Sequence, residues 1–303
     1  MAFEADAVVD RRRLKRRLFV WRTLAIVGVL AFALYLIDDL YGIERGDHVA
    51  RLSVEGLITD DRPRDELLAD IADDPRAKAL IVSIDSPGGT VVGGETLYKS
   101  LRQVAEKKPV VAVAGQLATS AGYMIALGAD RIYAHDGTIT GSIGVILQTT
   151  EFSELLSKIG VSAEAIKSGP LKAEPNPFTP MTPAVREALQ GMVREMYDMF
   201  VGMVVERRQL GDEAVRTLAD GRVFTGRRAA EIGLIDAIGG EREARAWLAA
   251  ERGIAKAVPI REVKPRRPDQ DLFGRIDSLA RKITLSERLT LDGLVSLWHP
   301  DLR

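Results

Sequence analysis

The sequence predicts an α/β domain built around a largely parallel β-sheet, with a single apolar helix ahead of it. Two observations favour this fold class. Short β-branched runs alternate with segments of helical spacing at intervals of about 30 residues, which is typical of βαβ units. A dense basic block over residues 11–17 is followed by an apolar run over residues 18–37 that only Arg22 interrupts. The 303 residues suffice for one large domain or two small ones.

The apolar run has the length of a transmembrane helix. About 20 helical residues span roughly 30 Å, the hydrocarbon thickness of a bilayer. Basic residues precede the run and Asp38 and Asp39 follow it, which predicts a cytoplasmic segment over 1–17, a signal-anchor helix over 18–37 and the bulk of the chain across the membrane. A signal peptide cleaved near the AFA triplet at 31–33, or a twin-arginine signal, is the alternative.

The predicted elements then follow in a regular order after a linker over 38–48. They are strands over 49–56, 79–85, 110–114 and 131–134, and helices over 65–72, 92–105 and 124–129.

The second half of the chain begins with a long helix. Thr182 is the expected N-cap and Pro183 the first helical residue. Its apolar stripe predicts packing against a core or a subunit rather than a ligand site. From Pro259 the chain becomes basic and proline-rich, so we predict a domain over 49–258 and a linker with an amphipathic tail over 259–303.

Composition excludes several classes of function. The chain has no cysteine and three histidines, and it lacks an H-E-x-x-H pattern. This rules out disulfides and thiolate nucleophiles and argues against a zinc hydrolase, so we expect neither a metal nor another cofactor. A formal net charge of −1 argues against a general nucleic-acid binder.

Ser120 is the first candidate for chemistry. It follows the strand at 110–114 through a turn of small residues and precedes an apolar helix. A hydroxyl in that position lies beside free backbone N–H groups, which can stabilise an oxyanion. Such a serine is either a nucleophile or a plain N-cap, and the segment alone fits both interpretations.

Two further segments could complete a catalytic site. The glycines of the SPGG turn at 86–89 let the backbone approach a ligand closely, so an N–H there and the Ala121 N–H could form an oxyanion hole. A nucleophilic serine also needs a base. A lysine serves only when neutral, which burial favours. Lys172, in a proline-rich segment of low charge, is the candidate, with Lys167 as competitor and Glu174 as a possible ion-pair partner.

Histidine bases are poorly placed in this sequence. His48 lies beside the linker, His135 lies in a polar turn after a strand, and His299 lies in the tail.

Five blocks in this order resemble the signal peptide peptidase A family, which are membrane-bound serine peptidases of bacteria. The blocks are IDSPGG at 84–89, ATSAGY at 118–123, TGSIGV at 140–145, KSGPLK at 167–172 and DGRVFTG at 220–226, which continues through 230–240. The length resembles the short form of the family.

The resemblance implies a role for each matching residue. Ser120 would be the nucleophile, Lys172 the general base, and Ser142 the group that orients the lysine. Gly88 and Ala121 would supply the oxyanion N–H groups, although many members carry glycine where this chain has Ala121. The implied fold is the Clp protease/crotonase type, a spiral of ββα units. In short-form members the serine and the lysine of one site come from neighbouring subunits of a homo-oligomer.

The resemblance also implies a function and a location. We expect a membrane-anchored serine endopeptidase of the bacterial inner membrane, with a periplasmic catalytic domain that degrades remnant signal peptides or other apolar peptides. Its partners would be those peptides, membrane lipid and further copies of the chain, with no nucleic acid. The alternatives are a sibling peptidase with another substrate, an acyl-CoA-processing enzyme of the crotonase fold, and a membrane scaffold without chemistry.

Overall fold

A computed structural model describes residues 15–32 and 46–265. The chain divides into two units, Met1–Asp47 and His48–Arg303. The first unit contains helix α1 over residues 15–32, which exposes large apolar side chains such as Phe19 and Trp21. Within the described residues, no helix is both long and apolar enough to cross a membrane. The transmembrane helix predicted over 18–37 is therefore not supported there, and its residues 33–37 lie outside the described part.

The second unit is organised by one sheet. In the described part this sheet has eight strands in the order β6-β5-β3-β2-β1-β8, and β4 joins β3 to β7. Every pairing is parallel except β5 with β6. The strands are β1 His48–Ile58, β2 Ala77–Gly89, β3 Val110–Thr119, β4 Arg131–Ala134, β5 Ile139–Gly141, β6 Val223–Thr225, β7 Ala237–Ile238 and β8 Ile260–Val263.

Helices alternate with these strands, as the sequence predicts for an α/β domain. They are α2 Arg62–Asp73, α3 Val91–Ala105, α4 Ala121–Ala126, α5 Ser153–Lys158, α6 Pro183–Arg208, α7 Asp212–Leu218, α8 Gly226–Glu231 and α9 Glu241–Arg252.

Alternating side chains of the central strands fill two separate cores. In β2, Leu80 and Val82 belong to the larger core together with residues of α2, α3, α4 and α6. Ala79 and Ile81, on the opposite face, pack against Ala244 and other residues of α9. Apolar side chains on both faces are typical of a parallel sheet covered on both sides.

Two strands run past their predicted ends. β2 continues through the SPGG residues to Gly89, because Leu57 and Ile58 of β1 pair with Gly88 and Gly89. β3 continues to Thr119, because its second half pairs with β5. Pairing partners remote in sequence keep these glycine-containing and polar segments extended.

The predicted linker from Pro259 begins instead with strand β8. Ile260–Val263 pairs in parallel with β1. Its Glu262 carboxylate accepts a 2.5 Å hydrogen bond from Arg51 and a 2.7 Å hydrogen bond from Ser53, both on β1. The sheet therefore extends beyond the predicted boundary at 258, and the tail over 266–303 lies outside the described residues.

The long helix begins as predicted. The Thr182 hydroxyl accepts from the Val185 N–H, and Pro183 is the first helical residue. Burial is concentrated in its second half, where Phe200, Val201 and Val204 lie in the core. The first half is largely exposed, and one of its faces borders the site described next.

Candidate active site

Ser120 lies between β3 and α4 with its hydroxyl free of a capping role. Its backbone has φ 54° and ψ −122°, and residues with a Cβ rarely adopt a positive φ. Such a backbone costs about 1–3 kcal/mol and is concentrated at functional sites. The side chain makes no capping hydrogen bond to α4. The N-cap alternative is therefore not realised, and the hydroxyl remains available for chemistry.

Strand pairing brings Ser142 beside Ser120. Thr119 is in register with Gly141 across β3 and β5, and the Ser120 N–H donates a 2.9 Å hydrogen bond to the Gly141 carbonyl. Ser142 also has a positive φ, 50°, and its N–H donates to the Arg222 carbonyl at 2.8 Å. Two serines separated by 22 positions thus border the same cavity.

Gly88 packs directly against the nucleophile candidate. Its φ is +117°, and a Cβ added there would lie 2.8 Å from the Ser120 Cβ and 3.2 Å from its Oγ. The Gly88 N–H, however, donates a 3.0 Å hydrogen bond to the Ser86 Oγ, which is fully buried and donates to the Gly56 carbonyl at 2.6 Å. Gly88 therefore lies beside the Ser120 hydroxyl, but its N–H is engaged by Ser86 in this structure.

Ala121 is the first residue of α4, so its N–H has no partner within the helix. Its methyl group does not enter the cavity. Ala121 is 2% exposed and faces Gly94 of α3, where an added Cβ would come within 3.0 Å of the Ala121 Cβ. Gly94 in α3 leaves space for this alanine. The methyl group that Ala121 adds, where many family members carry glycine, is therefore accommodated in the core and not in the cavity.

The two candidate lysines have different surroundings, and neither borders the Ser120 cavity. Lys167 donates a 2.5 Å hydrogen bond to Glu174, and their side chains are 20% and 11% exposed. This contact lowers the pKa of Glu174 below its ordinary value. Glu174, a possible ion-pair partner of Lys172 from the sequence, is thus paired with Lys167. Lys172 itself is exposed in a turn, with its backbone N–H donating to the Gly169 carbonyl.

The cavity in front of Ser120 has a volume of about 910 Å³. Its lining includes a face of α6 with side chains at helical spacing and the turn at 219–221. The charged and polar lining comprises Ser120, Ser142, Gln190, Arg194, Tyr197, Asp198, Arg216 and Asp220.

The chain matches one known protein family over about half of its length. The profile described as Peptidase family S49 matches residues 102–255. A Synechocystis relative whose name contains the word protease is 42% identical over 207 residues, which are 68% of this chain and 75% of the relative. The chain belongs to peptidase family S49. Its predicted kinship with signal peptide peptidase A is confirmed, and it is placed among serine-type peptidases.

Two other S49-like relatives extend beyond the matched region. An Enterococcus faecium protein whose name contains signal peptide peptidase SppA is 34% identical over 194 residues, covering 64% of this chain and 56% of that protein. The "Serine protease SPPA, chloroplastic" of Arabidopsis thaliana is 31% identical over 234 residues, covering 76% of this chain and 34% of that protein. This chain therefore matches about half and one third of their lengths.

The described histidines of this S49 chain do not border the Ser120 cavity. His48 is buried in β1 beside the 74–77 turn, and His135 lies in a separate groove with Asp85. His299 lies outside the described residues. Within residues 15–32 and 46–265, no group of three or more His, Asp or Glu side chains could hold a metal ion.

The part of the site formed by α6 was not predicted from the sequence. Gln190, Arg194 and Tyr197 recur at the helical spacing of one face. That periodicity was available as a signal, but only packing shows that this face borders the cavity.

The hydrogen bond that anchors α4 was not predicted from the sequence either. The fully buried Tyr123 hydroxyl donates a 2.7 Å hydrogen bond to the Leu234 carbonyl, and burial raises the pKa of Tyr123. This bond ties the short helix after Ser120 to a segment more than 100 positions away.

Proposed function

We propose that this chain is a serine endopeptidase in which Ser120 is the nucleophile and Lys172 the general base, each active site combining the serine of one subunit with the lysine of its neighbour. The observation that carries the proposal is the Ser120 hydroxyl. It is uncapped, held at a positive φ, and borders a cavity of about 910 Å³ shared with Ser142. The Clp protease/crotonase-type spiral belongs to the same proposal.

The chemistry is acyl transfer in two halves. The Ser120 Oγ attacks the peptide carbonyl carbon while neutral Lys172 takes the hydroxyl proton, and the lysine then returns that proton to the leaving amine. A water molecule hydrolyses the resulting ester with the lysine again as base. The free Ala121 N–H faces the developing oxyanion. Gly88 can add a second donor if its N–H exchanges Ser86 for the oxyanion.

A base from a second subunit is supported by the exposure of the segment that carries Lys172. Lys172 does not border the cavity of its own chain. The same segment leaves many large apolar side chains exposed, and such patches mark interaction surfaces. They are Ile146, Phe152, Leu155, Ile159, Val161, Ile166, Leu171 and Phe178.

The proposed substrates are remnant signal peptides or other apolar peptides near a membrane. The name of the Enterococcus faecium relative supports this class. Membrane attachment would come from the basic block at 11–17 and the apolar run at 18–37, with the catalytic domain outside the cytoplasm. Residues 18–32 of that run are helical, with large apolar side chains exposed.

Labelling with a fluorophosphonate tests the nucleophile and the base. The wild-type protein should be labelled and Ser120→Ala should not. Lys172→Met should lower peptide turnover by about 10²–10⁴-fold, because the general base is lost. Lys158→Met is the matched control, since Lys158 is another exposed lysine of the same segment. Equal labelling of Ser120→Ala, or full turnover by Lys172→Met, contradicts the assignment.

Mixing the two inactive variants tests the shared site. In an equimolar mixed ring, a site is intact only when a Lys172→Met subunit supplies the serine and a Ser120→Ala neighbour supplies the lysine. Recovery of about a quarter of wild-type activity is then expected. A dyad formed within one chain predicts no recovery.

Alkaline carbonate extraction of bacterial membranes tests the location. The full chain should stay in the membrane pellet, and a protease added to spheroplasts should reach the catalytic domain. Release of the intact chain by carbonate, or protection of that domain, contradicts the proposed location.

A further inference from the structure

Three of the four charged side chains that line the Ser120 cavity form ion pairs. Asp198 accepts a 2.8 Å hydrogen bond from Arg216, and Asp220 is paired with Arg222 at 2.5 Å. Both carboxylates of the lining are thus matched by an arginine. The contact with Arg222 lowers the pKa of Asp220 to about 2, so this carboxylate is charged at neutral pH.

Arg194 is the fourth charged side chain of the cavity lining. It is exposed on α6, and within the described part of the chain it has no hydrogen-bond or ion-pair partner. Other arginines of the same helix are used to hold the fold. Arg207 donates to the Leu127 and Ala129 carbonyls, and Arg208 donates to Asp236.

Arg194 borders the cavity from the first half of α6, where the helix is largely exposed. Gln190, Arg194 and Tyr197 lie on the face that borders the cavity. Val201 and Val204, seven residues beyond Arg194 and Tyr197 on the same face, are buried in the core, so the cavity lies where this face of α6 leaves the core. The guanidinium is therefore a positive charge without an ion-pair partner, within the described part of the chain, on the wall of the cavity that Ser120 also borders.

We propose that Arg194 is a specificity-determining residue that binds a carboxylate of the peptide substrate in this cavity. The inference rests on the proposed function, because it takes the Ser120 cavity as the peptide-binding site. A guanidinium is suited to this role, since its planar donors can bind both oxygens of a carboxylate.

The size of the cavity narrows the substrate class. A volume of about 910 Å³ is at the upper end of pockets that hold small ligands. It accommodates a short peptide segment, so the carboxylate must lie within a few residues of the scissile bond. It is either the free C-terminus of a short peptide, as peptides already released by another protease possess, or an acidic side chain.

Paired peptides test the proposal and distinguish the two sources. One pair shares a sequence without acidic residues and differs only in a C-terminal carboxylate or amide. A second pair is amidated and differs only in Glu or Gln near the scissile bond. We expect the wild-type protein to favour the carboxylate member of at least one pair by about tenfold in kcat/KM, as for a charge-assisted but solvent-accessible contact. A preference in the first pair assigns the C-terminus, and one in the second assigns a side chain.

Substitution of the arginine completes the test. Arg194→Gln should bring the preference close to one, and Arg194→Lys should restore part of it. Arg186→Gln, an exposed arginine of α6 outside the cavity lining, should keep the wild-type preference.

Three results would overturn the inference. The first is equal turnover, by the wild-type protein, of the two peptides within each pair. The second is an unchanged preference for the carboxylate peptide in Arg194→Gln. The third is loss of the oligomer in Arg194→Gln, measured by sedimentation, because that would place Arg194 against a neighbouring subunit. Failure of the wild type to cleave any peptide, with Ser120 unlabelled, would instead contradict the proposed function itself.

Discussion

Replacing Gly88 by alanine would place a methyl group where the Ser120 side chain lies. The added Cβ would be 2.8 Å from the Ser120 Cβ and 3.2 Å from the Thr119 carbonyl oxygen. A separation of 2.8 Å is shorter than any ordinary carbon–carbon contact, so the serine or the strand must move. The residue would also hold a φ of +117°, which alanine disfavours.

The cost can be estimated from these two effects. The backbone conformation costs about 1–3 kcal/mol, and forcing one carbon into a packed site costs about 1–3 kcal/mol more. We therefore expect Gly88→Ala to lose about 2–6 kcal/mol of unfolding free energy, and a loss at the lower end of that range lowers Tm by about 4–8 °C in a domain of this size. A displacement of Ser120 by about 1 Å should slow its reaction about 10²-fold.

The assay measures the rate of fluorophosphonate labelling and, on the same variants, thermal unfolding by circular dichroism. Gly56→Ala is the matched control. Gly56 also has a positive φ, +68°, but an added Cβ there meets nothing within 4 Å. It should therefore lose about 1 kcal/mol or slightly more from its backbone alone and label at nearly the wild-type rate. Wild-type labelling by Gly88→Ala, or an equal loss in Gly56→Ala, would refute the reasoning.

Two other predictions follow from buried or capping hydrogen bonds. Ser86→Ala should cost about 1–3 kcal/mol in urea unfolding, because it leaves the Gly88 N–H and the Gly56 carbonyl without their buried partner; a neutral result would show that the hydroxyl is not needed. The hydrogen bond from the Gly240 N–H lowers the pKa of Glu243 to about 2. Its stabilisation should thus be complete above about pH 4.3 and lost as the pH falls toward 2, and Glu243→Gln should flatten that part of the stability curve. An unchanged curve would contradict this.

Local patterns predicted most of the scaffold. The β-branched run before Ser120, the Thr182 N-cap and the alternation of strands and helices all reflect interactions within a few positions. Such short-range preferences can be predicted from the sequence. The ends of β2 and β3, and the presence of β8, were not predicted, because they depend on pairing with strands that are distant in sequence.

In the candidate site too, the sequence identified individual residues, and the fold determined which of them lie together. The blocks around Ser120, Ser142 and Lys172 suggested a nucleophile, an orienting group and a base. The structure brings the two serines to one cavity through the pairing of β3 with β5 and leaves Lys172 outside it. Lys167, the competing base, is engaged by Glu174. The sequence identified both lysines as candidates, but only the fold shows that Lys167 forms an ion pair within its own chain.

The sequence by itself determined the α/β class, the strand–serine–helix junction at Ser120 and the membership in family S49, since each is encoded in local order and composition. Only the tertiary structure decided that the Ser120 hydroxyl is uncapped, that the Gly88 N–H is held by Ser86, and that Arg194 has no ion-pair partner at the cavity among the residues that the structure describes. The reason is physical. The direction of a peptide group and the balance of charge in a cavity depend on partners from separate segments, which come together only when the chain folds.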